Sequence, residues 1–291
     1  MGKSLYDSSP AARAIFHLAD KVLGRPISEL CFSGTQEELN LTHNTQPCML
    51  AADLAVHAAM IERGVQPAAA AGFSLGEYAA LAAGGVITTE DAFRVIQIRA
   101  DAMQEAVPAG QGAMAAVMKL GPQDVEALCK EVEGYVIPAN FNSPEQIVVS
   151  GEIEAVNQLL VIAKERKIRA MVLPVSAPFH CALMEPARAA LESAFERIPF
   201  QNAAIPIYMN VDGKAHREAE DIRDCVLRQT VSPVQWTDTI RHILAERGGE
   251  LVELGVGKTL CAFTKKICPD ASAAYVENIE LLDEFCRSQA Q

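Results

Sequence analysis

The chain has 291 residues, half of them hydrophobic and 5 % aromatic, with 25 basic and 37 acidic side chains and a net charge of −12. That length fits one large domain, or a large domain with a smaller insert, and the apolar content excludes a mostly disordered chain. The charge and the lack of a strong local basic patch exclude nucleic-acid binding as the main role.

Apolar runs are broken well short of about 20 residues, so no membrane span is expected. The start, Met1-Gly2-Lys3-Ser4-Leu5-Tyr6-Asp7, has no signal-peptide core. The eight cysteines are scattered, with no Cys-x-x-Cys pair. That pattern argues against a zinc knuckle and for reduced thiols in the cytoplasm.

In chain order, Ser9 to Leu23 has helical apolar spacing, with Ser9-Pro10 as cap and first turn. Gln46 to Ile61 is a second helix by periodicity. Pro67 to Phe73 is short, small and apolar, the pattern of a buried strand, and Leu75 to Ala83 after it reads as a helix. Thr89 to Ala106 is helical, closed by Pro108 and Gly110. From Gly112 the texture changes to strand 112–120, helix 122–132, strands 136–140 and 146–151, helix 153–164 and strand 169–175. That β-α-β-β-α-β order is ferredoxin-like. Helix 184–198, strand 205–210, helix 236–245, strand 250–254 and a final helix from about Lys258 complete the reading. The fold class expected is α/β: an α/β-hydrolase-like catalytic domain with a parallel sheet, residues 1–110 and 176–291, carrying a ferredoxin-like insert, residues 111–175.

Gly72-Phe73-Ser74-Leu75-Gly76 is a Gly-x-Ser-x-Gly pentapeptide set between a strand and a helix. Such a serine sits on a strained turn that projects its hydroxyl, and the flanking glycines remove Cβ atoms that would clash there. Leu75, at the helix start, has an N–H free to face an oxyanion. The pentapeptide alone also recurs by chance; its strand-turn-helix context is what favours the nucleophile. A serine needs a base. His17, His43 and His57 fall in or near helical stretches, His216 lies in a charged run read as solvated surface, and His242 is on a predicted helix. His180 ends a strand and enters a proline-containing loop, the usual place for a catalytic group. Gly110-Gln111-Gly112 follows a helix and opens a strand, the reverse of a dinucleotide-binding context.

Gly72-Phe73-Ser74-Leu75-Gly76-Glu77-Tyr78 resembles the active-site segment of the malonyl-CoA:acyl-carrier-protein transacylases, the FabD-type family. Asn44-Thr45-Gln46-Pro47, Arg99 with Met103 to Pro108, Gly112 to Ala116, Asn140 to Pro144, Ser176 to His180, Asn210-Val211-Asp212 and Glu253 to Lys258 are similar in the same order, so the resemblance covers nearly the whole chain. It implies an acyltransferase that moves malonyl from malonyl-CoA, through an ester on Ser74, to the phosphopantetheine thiol of acyl carrier protein. No metal or redox cofactor is implied.

By the resemblance, His180 is the general base, oriented by a backbone carbonyl that we place around Ala245 to Gly248. Arg99 grips the free carboxylate of malonate, a bidentate, charge-assisted contact suited to a guanidinium. Read from the residues alone, Arg99 is a surface arginine on a helix. Phe179 resembles the malonyl-selective version of its loop, which leaves little room for an α-branch. Asn142 either touches the pantetheine arm or serves as a turn residue before Ser143-Pro144. A local basic patch at Lys258, Lys265 and Lys266 is expected to offset the net charge when an acidic carrier protein docks.

Two departures stand out. Phe73 occupies a position that is usually histidine in the family. The family also begins with a strand and a Gly-Gln-Gly loop bearing an oxyanion glutamine, whereas this chain starts just after that point. Loss of one oxyanion donor costs about 100- to 1,000-fold in rate, so a chain shortened at its start is expected rather than a new function. The alternatives are a serine hydrolase or thioesterase, which has no reason to bury an arginine by its serine, and a truncated, inactive carrier-protein-binding relative.

Overall fold

The computed structural model describes residues 1–108, 110–175 and 177–289; Ser176 of the loop before His180 falls outside them. Helices α1 (Lys3–Ser8), α2 (Pro10–Leu23), α3 (Ile27–Ser33), α4 (Gln36–Asn40) and α5 (Thr42–Glu62) open the chain. The hydroxyl of Ser9 accepts the N–H of Ala12, the cap expected for α2. Helix α5 carries alanine and leucine all round and has buried residues from Thr42 to Met60, as a helix enclosed by other helices must.

Strand β1 (Ala70–Ala71), helix α6 (Gly76–Ala83) and helix α7 (Thr89–Glu105) follow. Thr88 caps α7 through the N–H of Asp91. Next come β2 (Gly112–Met118), α8 (Pro122–Lys130), β3 (Val136–Ser143), β4 (Gln146–Glu152), α9 (Ile153–Glu165) and β5 (Ala170–Val172). These four strands form a sheet of order β3-β4-β2-β5, antiparallel throughout. Its apolar face packs on α8 and α9 through Val117, Val125, Leu128, Val149, Val156 and Leu159. This is the β-α-β-β-α-β topology read from the sequence.

The remaining elements are a 3₁₀ turn (Ala182–Met184), α10 (Glu185–Phe195), β6 (Ile207–Tyr208), β7 (Ala215–His216), α11 (Ala219–Gln229), α12 (Trp236–Glu246), β8 (Glu250–Leu254), α13 (Thr259–Ile267), β9 (Ser272–Val276) and α14 (Ile279–Gln289). Strand β1 pairs in parallel with β6, and β6 pairs antiparallel with β7. A separate parallel ladder joins β8 to β9.

The expected parallel steps are therefore present as two short ladders rather than one continuous sheet. The first is short because Gly72 turns the chain immediately after Ala71 and β6 has only two residues. One further expectation needs correction. The helix near Lys258 is not the last element, since β9 and α14 follow it. The run around His216 is largely exposed, as read from its charges, and it contains strand β7 and leads into α11. Ile222, Cys225 and Val226 recur on one side of that helix together with the polar Gln229, all buried. No helix among the described residues is long and apolar enough to cross a membrane.

Candidate active site

Between β1 and α6 the chain makes a turn that only a few residues tolerate. A Cβ on Gly72 would lie 1.9 Å from the carbonyl carbon and oxygen of Gly76, so the backbone approach there requires glycine. The second glycine of the motif behaves differently, for no atom lies within 4 Å of a Cβ built on Gly76. Ser74 itself has φ 51°, and His180 has φ 59°. Each is a non-glycine residue held in the left-handed region at a cost of about 1–3 kcal/mol, which the packing and hydrogen bonds around the site must offset.

The two strained residues meet. Ser74 Oγ is 2.7 Å from Nε2 of His180, and Nδ1 of His180 is 3.0 Å from the main-chain carbonyl of Gln229. A carbonyl can only accept, so Nδ1 carries the proton and Nε2 presents its lone pair to the serine hydroxyl. The orienting carbonyl thus comes from the C-terminal end of α11 and not from Ala245 to Gly248. His180 is buried, and that burial lowers its pKa to about 4; the Arg99 guanidinium pushes the same way and the Gln229 carbonyl opposes both. At neutral pH the imidazole is therefore neutral, the form able to take a proton.

Arg99, on α7, is only 1 % exposed, which overturns its reading as a surface residue. Its Nη2 donates to Ser74 Oγ at 3.0 Å and to Gln229 Oε1 at 3.2 Å, and its Nη1 donates to Gln46 Oε1 at 2.6 Å. The guanidinium lies over the Tyr78 ring at 5.5 Å. Its Nε has no partner among the described residues. Burial lowers the pKa of Arg99, with Tyr78 and Glu77 opposing.

Beneath the serine lies a closed polar network. Asn210 accepts the Ser74 N–H at 2.8 Å and donates its side-chain amide to the Gly72 carbonyl at 2.7 Å, bracing both sides of the turn. The Glu77 carboxyl accepts the Asn210 N–H at 2.6 Å and the Gln229 amide at 2.9 Å. Gln229 also donates to the Ser74 carbonyl at 2.8 Å. Burial drives the Glu77 pKa up to about 8 against the pull of these donors and of Arg99. The Leu75 N–H meets no acceptor among the described residues, leaving a donor free beside the hydroxyl.

The other expected residues are placed as follows. Phe179 sits between two apolar clusters, one with Met103, Val107 and Met184 and the other with Met114, Ala139 and Val148. Asn142 is buried at the end of β3; its amide donates to Gln146 Oε1 at 2.7 Å while its Oδ1 has no partner among the described residues. Asn142 makes no direct hydrogen bond to the Ser74 network. Phe73 packs edge-on against Trp236 at 5.5 Å and near Phe263 at 6.4 Å, so its ring completes an aromatic cluster behind the elbow. Of the three lysines expected to form a patch, Lys266 pairs with Glu145 at 2.9 Å, Lys265 donates to the Ala271 carbonyl at 2.6 Å, and Lys258 lies over the Tyr275 ring.

Gln46, Glu77 and Asn210 lie in segments that carried the resemblance but were given no role there. Gln229 was missed altogether, although the buried spacing of Ile222, Cys225, Val226 and Gln229 was the signal for its helix.

A serine on a left-handed elbow, a histidine against its hydroxyl and a buried arginine define a serine–histidine site on an α/β scaffold. The acyl transferase domain family model matches residues 1–279. Malonyl CoA-acyl carrier protein transacylase of Escherichia coli strain K12 is 41 % identical over 271 residues, covering 92 % of this chain and 88 % of that one. The solved acyl-carrier-protein-S-malonyltransferase of Bartonella henselae superposes with TM-score 0.96 at 37 % identity, covering 100 % of this chain and 95 % of that one. A malonyl-transacylase solved in complex with its type II PKS acyl-carrier protein gives TM-score 0.95 at 40 % identity, covering 99 % and 94 %. The chain belongs to the acyl transferase domain family and, within it, to the malonyl-CoA:acyl-carrier-protein transacylases.

Proposed function

We propose that this chain transfers a malonyl group from malonyl-CoA to the phosphopantetheine thiol of an acyl carrier protein, through an ester on Ser74. The observation that carries the reading is the position of the Ser74 hydroxyl, 2.7 Å from the neutral acceptor nitrogen of His180 and 3.0 Å from Arg99 Nη2. As Ser74 attacks the thioester carbonyl, its proton passes to His180 Nε2, and the imidazolium is held by the Gln229 carbonyl. The free Leu75 N–H donates to the developing oxyanion. Collapse of the tetrahedral adduct expels CoA, which leaves as a thiol with the proton from His180. The carrier-protein thiol then gives its proton to His180 and attacks the malonyl ester, and Ser74 recovers its proton as the product thioester departs.

Arg99 faces the serine with an unpartnered Nε and is the group we assign to the malonate carboxylate. A hydrolase of neutral esters would gain nothing from so costly a burial, which favours transfer of a charged acyl group over the hydrolase reading. Phe179 would limit branching at the acyl α-carbon, and the unpartnered Asn142 Oδ1 is available to a pantetheine amide. On this reading residues 1–110 and 176–291 form the catalytic domain and 111–175 an insert. The protein works in the cytoplasm on the chemistry of its own side chains.

The test is the intact mass of the purified chain after mixing with malonyl-CoA. One malonyl adduct, absent from a Ser74→Ala control, is expected. A folded protein that gains no adduct, or gains one that survives in the control, would overturn the proposal.

A further inference from the structure

We propose that Asp212, His216 and Cys225 form a binding site for a divalent cation of the zinc class, distinct from the Ser74 site. Asp212 lies in the turn after β6, His216 on β7 and Cys225 on α11, and their ligand atoms all fall within 4.8 Å of one another. Asp212 Oδ2 is 3.0 Å and Cys225 Sγ 4.0 Å from the same atom, Nε2 of His216. A proton relay would use opposite ring nitrogens, one for the acid and one for the thiol. Convergence of a carboxylate, an imidazole and a thiol on one point is instead the arrangement of a ligand set.

Zinc takes these three donors with bonds of about 2.0 to 2.3 Å, which puts tetrahedral neighbours roughly 3.3 to 3.7 Å apart. The observed 3.0 and 4.0 Å bracket that range, and the Asp212 and Cys225 ligand atoms lie within 4.8 Å of each other, so modest side-chain rotations would close the site. Asp212 and His216 are partly exposed and supply the entry path, whereas Cys225 is buried. An ordinary cysteine thiol is protonated at neutral pH, so Cys225 enters as the thiol. The cation forms the metal–sulfur bond as the S–H bond breaks, and the proton passes to solvent. Arg228 Nη2 donates to Cys225 Sγ at 3.4 Å, and its Nε pairs with Asp224 at 2.7 Å. The guanidinium therefore keeps an acceptor when the cation displaces it from sulfur. With three protein ligands the fourth position is left to water.

The placement gives the site a consequence. Asp212 is two residues beyond Asn210, which braces the elbow, and Cys225 is one helical turn ahead of Gln229, which orients His180. A bound cation would tie these two segments together and raise the thermal midpoint.

The purified full chain is titrated with Co²⁺ under anaerobic conditions and followed by absorption. Saturation at one cation per chain is expected, with a near-ultraviolet sulfur-to-cobalt charge-transfer band that Zn²⁺ abolishes. Cys225→Ser should remove the band, and His216→Gln, whose side chain lies at the rim, should weaken binding by more than about tenfold. Ser74→Ala should bind as the parent does. Absence of saturable binding in the parent would overturn the site. So would a band that persists undiminished in Cys225→Ser, or binding that His216→Gln leaves unchanged, because the thiolate would then belong to another cysteine.

Discussion

The main-chain carbonyl of Gln229, rather than a carboxylate, accepts the Nδ1 proton of His180 at 3.0 Å. A neutral acceptor fixes the tautomer but supplies no charge, so the imidazole stays weakly basic in its buried position. Its side chain does separate work: the amide donates to the Ser74 carbonyl and to Glu77, and its oxygen accepts from Arg99.

Gln229→Ala separates these roles. The carbonyl remains, while the Ser74 carbonyl and Glu77 each lose a buried donor, at about 1–3 kcal/mol per unmet group. Denaturant unfolding should show that loss, and malonyl loading should slow. The acid limb of the loading profile should stay in place. A limb displaced toward the ordinary histidine value would mean that the side chain, not the carbonyl, sets the basicity of His180.

That limb itself is the second prediction. The folded pKa of His180 is lowered from 6.5 to about 4. The base is therefore ready throughout the neutral range and fails only as pH falls through about 4, so single-turnover loading should hold level from pH 8 to about 5. The sign for stability follows from the same shift. Between about 4 and 6.5 the unfolded histidine binds a proton that the folded one refuses. This group's contribution is thus fully present above 6.5 and is lost as pH falls toward 4. Glu77, raised to about 8, acts oppositely: its contribution is present below its unfolded value of 4.5 and is lost as pH rises through 8. Ser74→Ala with His180→Gln, compared with Ser74→Ala alone across this range, isolates the histidine part. An equal difference at pH 4.5 and 7 would refute it.

Arg99 provides the third. Arg99→Ala removes a buried cation that should pair with the malonyl carboxylate, a loss of about 2–5 kcal/mol for a buried charge pair. Malonyl loading should fall by roughly 30- to several-thousand-fold at that cost, while acetyl loading from acetyl-CoA falls far less. Arg99→Lys should not restore the ratio, because a single ammonium cannot reproduce the planar two-pronged contact. Equal losses for both acyl groups would assign Arg99 to the serine and not to the substrate.

Much of this site was visible in the chain before its structure, and the reasons are local. Ser74 stands in a pentapeptide whose geometry is written into Gly72, and His180 stands where a strand gives way to a Pro-containing loop. Arg99 could be assigned only through resemblance, since a helical arginine at that spacing carries no sign of burial. Gln229 escaped because its decisive contact is made by a main-chain atom, which every residue type possesses. Its helix was also masked by the charges of Glu220, Asp221 and Asp224, which sit on the exposed face of α11. The two-residue strands β1 and β6 fall below the length at which alternation is readable, so the expected continuous sheet resolved into short ladders.

The two glycines of the elbow, alike in sequence, should respond in opposite directions to one added methyl group. At Gly72 the new Cβ would meet backbone atoms of Gly76 at 1.9 Å and of Glu77 at 2.3 Å. Backbone cannot rotate away as a side chain can, so Gly72→Ala should cost at least about 3 kcal/mol, the upper end of overpacking penalties. Gly76 opens α6 and has open space around its Cβ direction. Alanine there reduces the freedom of the unfolded chain and favours the helix, so Gly76→Ala should be neutral or stabilise by about 0.4–1 kcal/mol. Paired denaturant unfolding curves decide the matter. If both variants lose stability alike, the second glycine is also required by the fold. If Gly76→Ala is stable but loads malonyl poorly, the space above Gly76 is used by the substrate, and the glycine is kept for binding.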